Sequence, residues 1–192
     1  MVPVKVSKEQ IQLPPPVKDG AVSLEKAIAL RRSVRGFVSE PLAQYQLAQI
    51  LWAAQGITDV RRRRRAVPSA GATYPLKIFI ACGKNGVEGV PAGIYQYSAD
   101  THSLIPRYQA DVRLDLAQAA LNQEFISEAP LIIVICAVYE WTETSYGKRA
   151  ERYVHMEVGH AGQNIYLRQQ RSGWGQRQWV LFMMNWSGKS YS

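Results

Sequence analysis

Residues 131–138 read Leu-Ile-Ile-Val-Ile-Cys-Ala-Val and follow directly on Pro130. Every position of this run is apolar, so it lacks the alternation of a strand that has one face in water. A continuous apolar run of this length is typical of a strand in the middle of a sheet whose two faces are both covered. The run therefore predicts a central strand with helices on each side of the sheet.

Further strands are predicted on the N-terminal side of this run. Leu76–Cys82 is mainly apolar, and Gly93–Tyr97 and Ser103–Tyr108 flank a turn at Ser98–Thr101. Two strand-like runs separated by a short turn predict a β-hairpin. Strands joined in this way run antiparallel, so we expect a mainly antiparallel sheet.

Four helices complete the pattern. Ser23 is a suitable N-cap for a helix over residues 24–32 with one apolar side, and a second helix is predicted from Ser39 to about Gln55. Asp111 would cap a third helix, which runs to Leu121. A long helix over Glu151–Leu167 has an apolar stripe, formed by Val154, Val158, Ala161 and Ile165. The order α-α-β-β-β-α-β-α predicts the α+β class, as a three-layer sandwich.

The chain of 192 residues has the length of one domain. We expect an extended, proline-containing lead-in over residues 1–20, a domain over residues 21–167 and a separate tail over residues 168–192. No apolar run reaches the roughly 18 residues that a membrane span needs, and the first residues lack the apolar core of a secretory signal. Cys82 and Cys136 lie in apolar runs, which favours buried thiols over a disulfide. The expectation is a cytoplasmic protein without a membrane partner.

The net charge of +8 raises the alternative of a basic module that binds nucleic acid. Part of that charge is a run of five arginines, Arg61–Arg65. A run this short is most often a solvated loop, and it lacks the interleaved aromatic side chains that stack on bases. Nucleic acid is therefore not the expected partner.

Two segments indicate a site for a phosphorylated planar cofactor. Residues 31–37 read Arg-Arg-Ser-Val-Arg-Gly-Phe at the end of the first predicted helix, and residues 68–75 read Pro-Ser-Ala-Gly-Ala-Thr-Tyr-Pro before a strand. Guanidinium groups bind phosphate through paired hydrogen bonds. A loop of small residues lets backbone N–H groups come close to a ring system.

These segments resemble those of the nitroreductase superfamily of FMN-dependent oxidoreductases, and most closely its SagB-type dehydrogenase branch. The similarity continues, in the family's order, through residues 86–97, 128–140 and 152–164. It covers about residues 10–167 and stops after Leu167. Chance does not readily explain several separate motifs that occur in the same order as in the family.

The resemblance implies FMN as the cofactor and a homodimer whose two flavin sites lie between the subunits. The phosphate and ribityl chain would be held by residues of the first segment, Arg31, Arg32, Ser33 and Arg35. Residues of the second segment would run along the flavin of the partner chain, and these are Pro68, Ser69, Ala70 and Gly71. The implied reaction is a two-step electron transfer through flavin N5. The substrate would be a small molecule or a peptide, with NAD(P)H as a candidate electron donor.

Arg152 and Tyr153 fall where azoline-oxidising members of the branch carry a Lys-Tyr pair used in proton removal. A guanidinium, with a pKa above about 12, is a poor base, so Arg152 would orient substrate or stabilise negative charge. Tyr153 is a candidate acid or base, with simple aromatic packing as the alternative. His155 and His160 are five residues apart, off the i,i+4 spacing of a zinc-binding helix, and are interpreted as packing or hydrogen-bonding residues. No metal site is predicted.

The tail from Arg168 onward shows neither a helical nor a strand period. Because Trp and Met have one codon each, reading one base earlier fixes several residues: Gly at 175 and 180, Asp at 184, Glu at 185 and Leu at 186. Permitted choices elsewhere give Gly-Leu-Gly-Thr-Thr-Ala-Val-Gly-Thr-Phe-Tyr-Asp-Glu-Leu, which resembles the family's segment at this point. We hypothesise a one-base slip near Leu167.

On this hypothesis the C-terminal central strand is missing. Buried backbone groups left unpaired by its loss would cost about 1–3 kcal/mol each. The chain would then be an impaired oxidoreductase, or an inactive partner subunit of an intact homologue.

Overall fold

The computed structural model describes residues 9–33, 36–37, 40–170 and 179–183. The strands are β1 (Ile11–Gln12), β2 (Ile57–Asp59), β3 (Arg64–Arg65), β4 (Leu76–Cys82), β5 (Gly93–Ser98), β6 (Ser103–Tyr108), β7 (Leu131–Ala137) and β8 (Trp179–Met183). The helices are α1 (Leu24–Leu30), α2 (Gln44–Gln55), α3 (Arg113–Ala119), α4 (Phe125–Glu128), α5 (Tyr139–Tyr146) and α6 (Ala150–Gln170).

The main sheet has the strand order β1-β6-β5-β4-β7-β8. Its pairs are antiparallel from β1 to β7, and β8 lies parallel to β7. Strands β2 and β3 form a separate hairpin. The predicted α+β sandwich with a mainly antiparallel central sheet is confirmed, as are the bounds of β4 and of the β5–β6 hairpin to within a residue.

Strand β7 is buried at every position, as its sequence predicts. Alternate side chains, such as Ile133 and Ile135, enter the core cluster that α2 and α6 help to form. The intervening ones, Ile132 and Val134, enter the cluster on the other face, with Ala117 and Ile126 of α3 and α4. Helices therefore cover both faces of β7 and exclude water from them, which accounts for its unbroken apolar run.

Helix α1 differs from its prediction. It ends at Leu30, with Ser23 Oγ accepting the backbone N–H of Lys26 as an N-cap. Only Ala27 is buried, whereas Leu24 and Ile28 are about half exposed. The predicted apolar side is therefore outside the core of this chain.

Helix α2 also differs from its prediction, and two helices were not expected from the sequence. Helix α2 begins at Gln44 rather than near Ser39, because the Gln46 side chain accepts the backbone N–H of Ala43 at 2.7 Å and so fixes the helix start. Helices α4 and α5 were not predicted from the sequence; α5 is short and mostly polar, with Thr142 its one buried residue. No helix in the described parts of the chain combines the length and apolarity of a membrane span.

The prediction that the C-terminal strand is missing is wrong. Helix α6 continues past Leu167 to Gln170, and residues Trp179–Met183 pair with Leu131–Ile135 of β7. The physical reason is that the edge of β7 presents unpaired backbone N–H and C=O groups. A segment of five consecutive apolar residues is sufficient to pair with them. The family-specific side chains of the segment are not needed for that pairing.

The lead-in is held against the β5–β6 turn. The backbone N–H of Leu13 donates to the carbonyl of His102 at 3.1 Å. The His102 ring lies with Nε2 2.9 Å from the carbonyl of Pro14 and Nδ1 2.8 Å from the Tyr97 hydroxyl. One imidazole therefore joins the N-terminal segment to the sheet.

Candidate functional site

The second predicted segment forms a loop of small residues between β3 and β4. We call residues 68–74 the small-residue loop; it contains a single 3-10 turn, Ala70–Ala72. Gly71 has φ +58°, and a Cβ at that position would lie 2.9 Å from Tyr146 Oη. The left-handed backbone favours glycine, and Tyr146 leaves little room for a side chain at this position.

Hydrogen bonds hold one side of the small-residue loop, and its other side is exposed. Ser69 Oγ accepts the backbone N–H of Tyr74 at 2.9 Å, and the hydroxyls of Thr73 and Thr142 lie 2.9 Å apart. Pro68, Gly71 and Ala72 are exposed. The loop thus presents backbone and small side chains to the exterior, while α5 and α6 hold its other side.

A buried carboxylate lies under this loop. Glu157 of α6 is only 3% exposed, and its Oε1 accepts a hydrogen bond from Gln55 Nε2 at 3.3 Å. Burial raises the pKa of Glu157, while the polar side chains of Ser69 and Gln55 and the charge of Arg65 act in the opposite direction.

Arg65 connects the β2–β3 hairpin to the same network. Its Nη1 donates to Gln55 Oε1 at 3.3 Å, and its guanidinium carbon lies 4.9 Å from the centre of the Tyr74 ring, a cation–π distance. The other four arginines of the run are exposed. The prediction of a solvated loop is therefore wrong for Arg65, because a hairpin turns its side chain inward.

The first predicted segment lies at the C-terminal end of α1. Arg31 is half-buried, and its guanidinium carbon lies 6.0 Å from the centre of the Tyr166 ring. Arg32 folds back to donate from Nη1 to the carbonyls of Ala29 and Arg31, at 3.0 and 2.8 Å. Ser33 is exposed. Arg35 lies outside the described residues.

Both segments lie against α6. Ala66, which precedes the small-residue loop, accepts a hydrogen bond from Asn164 Nδ2 at 3.3 Å, and Arg31 approaches the ring of Tyr166. Helix α6 is therefore the element that the two segments share.

Arg152 and Tyr153, the predicted pair near the start of α6, have different surroundings. Tyr153 is half-buried and packs edge-on against Tyr146, with ring centres 4.9 Å apart. It is thereby joined to the small-residue loop through Tyr146. Arg152 points outward and lines an open concavity of about 740 Å³, together with Lys148, Arg149, Glu151, His155 and Met156.

The histidines of α6 are exposed. His155 packs edge-on against Tyr139, with ring centres 6.0 Å apart, in agreement with its interpretation as a packing residue. His160 is likewise at the surface. Within the described ranges no three potential ligands are grouped to hold a metal ion.

Sequence reasoning missed Glu157 and Gln55. A usable signal was present, since Glu157 stands one turn after Val154 and one turn before Ala161, on the apolar stripe of the long helix. A carboxylate on such a stripe is buried, and a buried carboxylate needs partners. Gln55 gave no comparable signal, because its position at a helix end is equally typical of a solvated side chain.

Two relatives align with most of this chain. A nitroreductase-like protein of Methanocaldococcus jannaschii is 48% identical over 146 residues, which are 76% of this chain and 72% of that protein. The microcin B17-processing protein McbC of Escherichia coli is 26% identical over 130 residues, which are 66% of this chain. They are 48% of McbC, so the chain spans about half the length of that relative.

Solved structures share the fold. A nitroreductase-like protein from Ralstonia eutropha JMP134 has a TM-score of 0.72 at 27% identity, over 84% of this chain and 71% of that one. One from Anabaena variabilis has a TM-score of 0.64 at 29% identity, over 77% and 30%. The E. coli microcin synthetase complex McbBCD, with truncated pro-MccB17 bound, contains a chain with a TM-score of 0.62 at 23% identity, over 89% and 68%. That last likeness concerns the fold alone.

The sequence model of the nitroreductase family matches residues 28–178, which is most of this chain and includes both predicted segments. With that match, the chain belongs to the nitroreductase family, whose members are generally oxidoreductases.

Proposed function

We propose that the protein is an FMN-dependent oxidoreductase of the SagB type, which transfers electrons in two steps through a bound flavin. The small-residue loop is the observation that carries this proposal. It is fixed by Ser69 and Thr73 and exposes Gly71 with a positive φ. A surface of this kind lets backbone N–H groups approach a planar ring that bulky side chains would keep away.

The arginine segment suits the other end of the cofactor. Arg31, Arg32 and Ser33 are consecutive at the end of α1, and Arg35 follows. Guanidinium and hydroxyl donors match the oxygens of a phosphate. FMN would supply the electron-transfer chemistry at N5, and this chain would bind it, orient it and limit its access to water.

We further propose a homodimer whose two flavin sites lie between the subunits, as the resemblance to the SagB-type branch implies. The exposed face of α6 supports this arrangement. Around Gly159 no heavy atom lies within 4 Å of the position a Cβ would take, and Met156 beside it is 52% exposed. Helix axes approach more closely where the contact residues are small. A second copy of α6 could therefore cross at Gly159.

Tyr153 is proposed as the acid or base of the reaction, and Arg152 as a group that orients an anionic part of the substrate. The position of Tyr153 beside Tyr146, which itself contacts the loop at Gly71, favours Tyr153 over Arg152 for proton transfer. A guanidinium also keeps its proton throughout the range in which proteins are folded. Azoline oxidation would therefore have to proceed without the lysine of the Lys-Tyr pair.

The proposed substrate is a small molecule or a peptide, with NAD(P)H as a candidate electron donor. The peptide alternative is supported by the similarity to McbC, which is a microcin-processing protein. Arg152 lines an open concavity of about 740 Å³ at the surface.

We also propose that the tail results from a one-base slip near Leu167. The codon argument supports it, since single-codon residues such as Trp179 and Met184 force the family-like glycine and acidic residues in the neighbouring frame. The family match runs to residue 178, past the proposed slip. Independent sequencing of the coding DNA tests this proposal, and an uninterrupted frame in several clones would contradict it.

Flavin binding tests the proposed function. The chain and a version with the restored frame are purified separately, mixed with FMN, and assayed by quenching of flavin fluorescence. We expect binding by the restored version and weaker binding by the chain as it stands. A restored version that stays colourless and leaves FMN fluorescence unchanged would refute the flavoprotein assignment. Equal affinities would instead refute the importance assigned to the tail.

A further inference from the structure

We propose that Thr142 of α5 is a positioning residue, whose buried hydroxyl holds the small-residue loop in the shape that it presents to its ligand. The ordering of the loop by Thr142 depends only on hydrogen bonds and packing within this chain. The identity of the ligand as FMN rests on the function proposed above.

The hydrogen bonds of Thr73 in the loop determine which hydroxyl donates. Thr73 Oγ1 lies 3.1 Å from the carbonyl oxygen of Ala70. A carbonyl oxygen only accepts, so the one hydroxyl hydrogen of Thr73 is used there. Thr73 Oγ1 also lies 2.9 Å from Thr142 Oγ1, and Thr142 must therefore be the donor in this second hydrogen bond. The hydroxyl of Thr142 thus fixes Thr73, which in turn fixes the carbonyl of Ala70.

Thr142 directs its hydroxyl to the loop rather than to its own helix. A threonine inside a helix can donate to the carbonyl four residues earlier, and Thr144 of α5 does so, to Glu140 at 2.9 Å. Thr142 is only 1% exposed, and its hydroxyl bonds Thr73 instead. A buried hydroxyl that lost this partner would be left unsatisfied, which is unfavourable. The order of the loop is therefore coupled to α5 at this point.

Helix α5 meets the loop at a second point on the same face. Thr142 and Tyr146 are four residues apart, and residues at that spacing lie on one side of a helix. Thr142 donates to Thr73, while the ring of Tyr146 covers Gly71. The packing contact limits how far Gly71 can move, and the hydrogen bond sets the direction of the backbone beside it.

The same helix is held by contacts with the rest of the fold. Trp141 lies beside Lys77 of β4, whose Nζ is 4.4 Å from the centre of the indole ring, a cation–π distance. At the other end, Tyr146 packs edge-on against Tyr153 of α6. Because α5 is attached to both β4 and α6, a hydrogen bond from α5 fixes the loop relative to the core.

The variant Thr142→Val tests this role, because it removes the hydroxyl and retains a branched side chain. The amides of Thr73 and Tyr74 report on the loop, since they donate to the Ala70 carbonyl and to Ser69 Oγ. We expect their hydrogen exchange to become about fivefold faster, as the loss of one neutral hydrogen bond implies. Amides of β7 should keep their protection. A substitution that acted through the stability of the whole fold would speed exchange in β7 as well.

Two further variants separate the hydroxyl from the rest of the side chain. Thr142→Ser keeps the donor and should restore the exchange rates of the natural chain. Thr144→Val is the matched control, because Thr144 is an exposed threonine of the same helix whose hydroxyl bonds within that helix. It should leave the amides of Thr73 and Tyr74 unchanged.

A double-variant comparison identifies the partner. Thr73→Val should speed exchange more than Thr142→Val, because it also removes the hydroxyl bond to Ala70. The double variant should exchange no faster than Thr73→Val alone, since both substitutions remove the same link. Additive effects of the two substitutions would overturn the proposed contact.

FMN affinity is measured by fluorescence quenching in the version that binds the cofactor. Thr142→Val should weaken it about fivefold and Thr142→Ser by less than about twofold, because a ligand that must order the loop binds less tightly. Unchanged affinity in Thr142→Val would overturn the positioning role.

The exchange measurement is made on the flavin-free chain and so judges the ordering of the loop by itself. Unchanged exchange at Thr73 and Tyr74 in Thr142→Val would overturn the inference, as would equal acceleration there and in β7. If neither the chain nor its restored version binds FMN, the proposed function fails, while the exchange result still decides whether Thr142 orders the loop.

Discussion

Tyr146 closes over Gly71: the phenol oxygen lies 2.9 Å, and the ring carbon Cε2 3.2 Å, from the point that a Cβ on Gly71 would occupy. The same tyrosine packs against Tyr153. The loop backbone and the candidate acid or base are thus both in contact with one ring.

Gly71→Ala should destabilise the protein more than a change of backbone preference alone. A left-handed alanine costs about 1–2 kcal/mol, and the new methyl group must also displace Tyr146. The same substitution in a Tyr146→Ala background is the control, because the phenol ring is then absent while the backbone conformation of Gly71 is the same. Urea unfolding should give a larger loss for Gly71→Ala in the natural background than in the Tyr146→Ala background. Equal losses would show that the contact with Tyr146 is unimportant.

Arg65→Ala should lower the free energy of unfolding by about 1–2 kcal/mol, since it removes a hydrogen bond to Gln55 and a cation–π contact with Tyr74. Arg64→Ala, at the exposed neighbouring position, should change it by less than about 0.5 kcal/mol. Chemical denaturation of both variants makes the comparison. If both substitutions change the free energy of unfolding by a similar small amount, Arg65 behaves as a solvated residue, as predicted from the sequence.

Stability should decline on mild acidification because of His102. Burial lowers the pKa of this imidazole, and the hydrogen bond to the Pro14 carbonyl only partly opposes that shift. The unfolded chain therefore takes up the proton first, and stability falls as the pH drops below about 6.5 toward the lowered folded value. Urea midpoints between pH 8 and pH 5 (roughly the range over which histidine titrates) measure this decline.

His102→Asn should flatten that decline, since asparagine does not titrate and tolerates the left-handed φ of +47° at this position. His160→Asn, on the exposed face of α6, should retain it. If His102→Asn keeps the full pH dependence, other groups are responsible.

The two thiols should be unreactive in the folded protein. Burial raises the pKa of both Cys82 and Cys136 to about 11, so at pH 8 only about one thiol in a thousand is ionised. Iodoacetamide should label neither in buffer and both in urea, which mass spectrometry distinguishes. Rapid labelling of either thiol without denaturant would show that its strand opens locally.

Gly159→Leu should dissociate the proposed homodimer, because the larger side chain stands where the two helices would approach. Gln118→Leu serves as the control, because Gln118 is exposed on α3, which packs on the other face of the sheet. Sedimentation of the restored-frame protein gives the oligomeric state. A Gly159→Leu protein that remains dimeric would place the interface elsewhere.

The sequence predicted the sheet well because burial on two faces leaves a strong pattern, as in Ile132 and Ile133 of β7. It predicted α1 poorly, because the apolar side chains of Leu24 and Ile28 do not indicate whether their partner lies in the same chain. For the site, the loop was visible as a run of small residues. The contact between Gln55 and Glu157 was overlooked, since contacts between residues so distant in sequence depend on tertiary packing, which local patterns do not encode.

The parallel pairing of β8 with β7 bears on the order in which the chain assembles. Antiparallel neighbours such as β5 and β6 are joined by a short turn, whereas the whole of α5 and α6 separates β7 from β8. We expect so long a crossover to close later than the short hairpin turns. All residues of strands β1 to β7 precede Leu167 in the chain. A reading error near Leu167 would therefore change β8 and leave the sequence of every other strand intact.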